Sequence, residues 1–220
     1  MSATFALTGR DASKLFELEN DSNEKIAVRL SMSKRLMDEE GKETQPEVED
    51  DFLIQPFHIV MDPFQKKAVR VTWMKGENFK DELAYRLIAE QLPIDMGDKA
   101  EKNKRQANIK VLLRYVAAVY VDPGTTQSNV TVVKQEHDSI KKKLIITLNN
   151  SGNKHQILKN LKVKIKNGDQ GETSIEAAGL AGFIGENILA QSTRKFVIAV
   201  PNEIKKLNPN FTVSIDFDKN

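Results

Sequence analysis

Asn108–Val121 reads "NIKVLLRYVAAVYV", a stretch almost wholly apolar and rich in β-branched residues. Read as a strand, it should be reached through a turn of a few residues. Ahead of it lies instead a long polar segment that includes "MGDKAEKNKR" (96–105). Charges beside a sticky strand can act as gatekeepers against aggregation, but a loop of this length calls for a further reason. On strand alternation, Ile109, Val111, Leu113, Tyr115 and Ala117 share one face. Lys110, Leu112, Arg114, Val116 and Ala118 share the other. Arg114 is the one charge in the apolar middle.

Working outward, similar short segments recur along the chain. They include "TFALTG", "KLFELEN", "KIAVRLSMSKRLM", "FLIQPFHIVM", "KAVRVTWM" and "LAYRLIAEQLPI" before it. After it come "NVTVVKQE", "KLIITLNN", "LKVKIKN", "KFVIAVP" and "FTVSIDF". Many short alternating segments parted by polar or Gly/Pro/Asn-rich turns predict an all-β chain built as β-sandwiches. "GFIGENILAQSTRK" (182–195) is the one place for a turn or two of helix, and its glycines disfavour that. The Pro- and Gly-bearing "VDPGTTQSN" (121–129) marks a boundary, giving predicted domains 1–123 and 124–220. Each is the size of an immunoglobulin-like sandwich. No repeat between the halves is evident, and acidic Asp38–Asp51 reads as a solvent-exposed loop.

The 220 residues carry 33 basic and 31 acidic side chains, a formal net charge of +2. Nucleic-acid binders concentrate basic charge far beyond this. The cluster Lys159, Lys162, Lys164 and Lys166 reads as a solvated strand face. No apolar run approaches the roughly 20 residues that cross a bilayer, and the N-terminus lacks the pattern of a secretory signal. With no cysteine in the sequence, disulfide frameworks and thiolate chemistry are excluded.

An enzyme needs a reactive constellation, and none is legible. His58, His137 and His155 lie far apart and show no metal-ligand spacing. His58 falls inside an apolar strand pattern and reads as a structural imidazole. "GLAGFIG" (179–185) has the wrong spacing for a phosphate-cradling loop. No nucleophile motif accompanies "GNKH" (152–155). No catalytic residue, metal or cofactor is therefore expected. Arg86 and Arg114, each embedded in an apolar strand, are candidates for gripping a carboxylate through paired hydrogen bonds.

Four segments in order carry a resemblance: "LFELENDSNEKIAVRLSM" (15–32), "EDDFLIQPFHIVMDPFQKKAVRV" (49–71), "DELAYRLIAEQLPI" (81–94) and "IKVLLRYVAAVYVDPG" (109–124). In the second half, "KLIITLNNSGNKHQILKNLKV" (143–163) is suggestive. The sequence resembles the periplasmic pilus-assembly chaperones of the chaperone–usher pathway, and among them the archaic branch. The resemblance implies two immunoglobulin-like sandwiches set like a boomerang, with a cleft between them. It implies that the apolar strand is lent to an incomplete pilin, a known form of strand addition. The charged loop before it would then order as the partner arrives.

Carried over by position, Ile109, Val111 and Leu113 match the alternating residues that fill the subunit groove. The family anchors the subunit's terminal carboxylate with two basic residues. Here Ala118 and Thr4 stand near those positions, so Arg86 and Arg114 become the substitute anchors. The implied partners are pilin subunits and an outer-membrane usher, with no nucleic acid and no membrane insertion. A self-capping oligomer of the free chain stays open, since so apolar an edge invites self-association. The implied compartment is the periplasm, with a signal peptide encoded upstream. The rival reading is a two-domain extracellular adhesion or binding protein whose sandwiches close their own edges.

Overall fold

Alternation of apolar and polar side chains accounts for most of the architecture in the computed structural model, which describes residues 2–76, 79–93, 111–168, 171–175, 177–201, 204 and 207–219. The first strands are β1 (Ser2–Phe5), β2 (Ser13–Glu19), β3 (Ile26–Lys34), β4 (Leu36–Met37), β5 (Glu43–Thr44) and β6 (Glu47–Val48). There follow β7 (Phe52–Gln55), β8 (His58–Met61), β9 (Lys66–Trp73), β10 (Leu83–Leu92) and β11 (Arg114–Val121). The second half runs through β12 (Val130–Asp138), β13 (Lys143–Asn150), β14 (Gln156–Ile157) and β15 (Lys159–Lys166). It ends with β16 (Glu172–Ile175), β17 (Asn187–Ile188), β18 (Ser192–Ala199) and β19 (Thr212–Asp218). In β15, Leu161, Val163 and Ile165 point inward while Lys162, Lys164 and Lys166 face solvent. A one-residue slip would exchange the two sets, so the pattern fixes the register.

The chain divides into two compact units. The first comprises Met1–Arg35, Gln45–Glu77 and Ala84–Val121; the second comprises Leu36–Thr44, Asn78–Leu83 and Asp122–Asn220. Each is an immunoglobulin-like β-sandwich, as the strand count predicts. In the first, one sheet runs β1-β11-β10-β3-β6 with β8 also on β3, and the other runs β2-β9-β7. Aromatic rings fill the space between them. Phe52 meets Trp73 and Tyr85 edge-on, each at 5.0 Å between centroids, and Phe5 at 5.6 Å, a favoured arrangement for aromatic pairs. In the second unit, sheets β12-β13-β18 and β16-β15-β19 enclose Leu144, Ile146, Leu148, Val163, Ile165 and Phe183, all fully buried.

Several local expectations need correction. The acidic stretch Asp38–Asp51 is not a featureless loop: it contains β5 and β6, and the β4–β5 hairpin belongs to the second unit. Two-residue strands carry no periodicity to read. The hairpin is held by the Lys195 amide donating to the Glu39 carbonyl at 2.6 Å. Gly41, at φ +86°, packs so closely on buried Arg194 that a Cβ there would lie 2.2 Å from its Nη2. Residues 182–195 form turns, β17 and the start of β18, not α-helix. His58 is exposed, because β8 turns Ile59 and Met61 inward instead.

A recurrence between the halves escaped the sequence reading. Asn20 and Asn150 are both buried and build the same turn. Asn20 Nδ2 donates to the carbonyl four residues on (Glu24, 2.8 Å), and its Oδ1 accepts from the Ser22 amide. Asn150 Nδ2 donates likewise to Lys154 (2.7 Å), and its Oδ1 accepts from the Gly152 amide. Each Nδ2 also reaches a second loop, at Asp62 and Leu189 respectively. Gly152 replaces Ser22 because backbone crowds it: an added Cβ would lie 2.3 Å from the Gln127 carbonyl.

Candidate functional site

β11 changes character along its length. Val119, Tyr120 and Val121 are buried in the first sandwich. There β1 runs parallel beside β11, in register from Ser2 opposite Ala118 to Phe5 opposite Val121. Upstream of Ala118 that edge has no strand partner among the described residues. On the other side the segment stays attached to β10, with the Gln91 amide donating to the Leu113 carbonyl at 2.9 Å. Among the described residues, the main-chain groups of 111–117 along the edge away from β10 face no neighbouring strand.

Apart from Arg114 and the half-buried Ala117, the side chains of these residues are apolar and exposed. Val111 retains 71% of its accessible surface, Leu113 46% and Tyr115 65%; Leu112 and Val116 are exposed as well. Contiguous exposed apolar surface of this kind marks an interaction site on a soluble domain. Ile109, the third expected groove-filling residue, lies outside the described residues. Val111, Leu113 and Tyr115 together line one cavity of the first unit.

The two candidate arginines sit on neighbouring strands, β10 and β11. Arg86 is half-buried on β10 opposite Ser33 of β3. Arg114 is exposed, not held in a buried strand, donating through Nε to Glu90 (2.9 Å) and through Nη2 to Gln45 (3.0 Å). Glu90 lies four residues beyond Arg86 on β10, so the backbone positions of the two are roughly 13 Å apart along the strand. Ala118 and Thr4, where the resemblance departs from the usual basic pair, stand on paired β11 and β1, opposite Ser2 and Tyr120.

Besides Asp51, several buried charged groups among the described residues escaped the sequence reading. In the first unit, Arg35 at the end of β3 is buried and donates to the Tyr120 hydroxyl at 3.0 Å. In the second, Glu82 Oε1 accepts the His155 amide at 3.0 Å and lies 2.5 Å from its Nδ1. Arg194 donates to the Asn187 carbonyl (2.8 Å) and Glu186 (3.1 Å) and stands over the Phe196 ring. Tyr85 is locked into the first core: burial and its hydrogen bond to Asp51 (2.8 Å) push its phenol well above the usual range. At the start of the second unit, partial burial pushes the Asp122 carboxyl up. The Gly124 amide, Thr126 hydroxyl and Lys154 ammonium outweigh this and hold it below the usual carboxylate value.

Exposed apolar side chains along the edge of a sandwich are the kind of surface on which another protein can dock. The family described as "Pili and flagellar-assembly chaperone, PapD N-terminal domain" matches residues 2–127. The chain belongs to this family. The chaperone is thus an assembly factor and not an enzyme. No curated protein matches it by sequence.

Solved structures resemble the chaperone over nearly its whole length. A chaperone–tip adhesin complex of CFA/I fimbriae biogenesis is 17% identical with a TM-score of 0.60, over 98% of this chain and 91% of that one. The class 5 fimbriae chaperone CfaA is 15% identical with a TM-score of 0.57, over 99% and 96%. CsuC, in a pre-assembly complex with the tip subunit CsuE of archaic Csu pili from Acinetobacter baumannii, is 16% identical with a TM-score of 0.58, over 93% and 86%. At these identities the likeness is one of fold. Among the described residues, no helix is long and apolar enough to cross a membrane.

Proposed function

We propose that this chaperone captures pilin subunits in the periplasm by donor-strand complementation and hands them to an outer-membrane usher, as part of an archaic-branch pathway. The observation that carries the reading is the run from Val111 to Val116, exposed and apolar apart from Arg114, on an edge that continues into the buried end of β11, Val119–Val121. A pilin lacking its last strand exposes an apolar groove flanked by unpaired backbone groups. The donated strand supplies main-chain hydrogen bonds to those groups, and Ile109, Val111 and Leu113 fill the groove. At roughly 1.5–3 kcal/mol per fully buried aliphatic side chain, three such residues contribute several kcal/mol before ordering is counted. Arg86 and Arg114 are the proposed anchors for the subunit's terminal carboxylate, setting register against a one-residue slip. The backbones of the two positions lie roughly 13 Å apart along the strand direction, so each marks a different point on one track.

Co-expression with the cognate pilin in a periplasm tests this reading. The expected result is a soluble one-to-one complex. Pilin that aggregates equally with and without the protein would favour the adhesion-module reading instead.

A further inference from the structure

The first unit contains a cavity of about 260 Å³ beside the open part of β11. Its lining includes the buried Val28, Met61 and Ala89 and the exposed Val111, Leu113 and Tyr115, with the exposed carboxylates Glu19, Asp21 and Glu24 beside them. Asn20 lines it too, but both of its amide atoms are engaged within the turn it builds. An apolar cavity of ~150 Å³ holds a benzene molecule, so this one has room for a branched aliphatic or aromatic side chain. Cores of specific interfaces pack as densely as protein interiors, and a void forfeits the dispersion contacts of every atom lining it. A partner strand added to the open edge of β11 lies at the cavity mouth, because the side chains beside that edge line the cavity.

We propose that the cavity is a socket for one apolar side chain of the captured pilin, and this rests on β11 being the donated strand. The exchange is then reciprocal: the chaperone inserts its own residues into the subunit and receives one in return. Subunits presenting a large aliphatic or aromatic residue at that point are favoured over those presenting an acidic or small one, since Glu19, Asp21 and Glu24 also line the cavity.

The test places Ala89→Leu beside Leu113→Ser, reading urea midpoint and capture of the co-expressed pilin. Ala89→Leu partly fills the socket, so its midpoint should hold or rise while capture weakens at least tenfold. Undiminished capture by folded Ala89→Leu overturns the socket. If Leu113→Ser meanwhile loses capture, donor-strand action survives and only the socket falls. Should Ala89→Leu fail to fold, the wild-type complex decides. With the Met61 methyl and the pilin methyls labelled, an intermolecular nuclear Overhauser contact is expected, and its absence overturns the proposal. If Leu113→Ser captures pilin normally, the donor-strand reading fails and the socket falls with it.

Discussion

Arg114 bridges Glu90 and Gln45 from a side chain that is nearly half exposed. Such surface pairs contribute at most about 1 kcal/mol to folding. Arg114→Ala should therefore leave the thermal melt almost unchanged, and if the guanidinium anchors a carboxylate, it should sharply reduce pilin recovery. Arg86→Ala, measured in parallel, identifies which position on the track is used; loss of folding in both variants would make them structural. Both arginines were legible because a charge in an apolar strand stands out from its neighbours. Arg35 and Glu82 were not, because their partners Tyr120 and His155 lie 85 and 73 residues away along the chain. A second test at this scale concerns Asp122, whose carboxyl is held below its unfolded value of about 3.9. A depressed carboxylate stabilises above the unfolded value and loses that effect as pH falls through the folded one. Asp122→Asn should lower the urea midpoint near neutrality, and the gap to wild type should close in acid.

The contrast between β11 and the residues leading into it is an element-scale experiment already built into the chain. Val119 is fully buried, whereas Val111 and Leu113 are exposed. Val119→Ala should destabilise by about 2 kcal/mol. Val111→Thr and Leu113→Ser should barely move the urea midpoint while lowering the yield of co-purified pilin. A midpoint that collapses in step with yield would make Val111 and Leu113 core residues and end the donor-strand reading. The strand itself was legible as an apolar run, but its division at Ala118 was not. That division depends on β1 pairing only with residues 118–121, a contact between the two ends of the first unit. The β4–β5 hairpin was illegible for a different reason: it is held by Gly41 against Arg194 and by Lys195, over 150 residues away.

At the scale of the whole molecule, strand number and turn chemistry were enough to give two β-sandwiches, because alternation reports burial directly. They did not reveal that Leu36–Thr44 and Asn78–Leu83 join the second unit, since membership is decided by contacts distant in sequence. Nor did they reveal the twin turns at Asn20 and Asn150. "ENDSNEK" and "NNSGNKH" share few letters, and the likeness lies in what the two amides hold.

Those asparagines bear on the order in which the chain acquires its structure. β-Sandwiches fold slowly because their pairings span long stretches of chain. A side-chain amide reaching four residues ahead closes its loop in well under the microseconds that a hairpin needs. Asn20 and Asn150 can thus set a corner in each sandwich before the distant strands meet. Asn20→Ala and Asn150→Ala should then slow refolding, each in its own unit, more than they speed unfolding, giving φ-values in the upper half of the range. Stopped-flow chevrons measure this. Variants that unfold faster but refold at the wild-type rate would mean that the corners close last, as keystones rather than cornerstones.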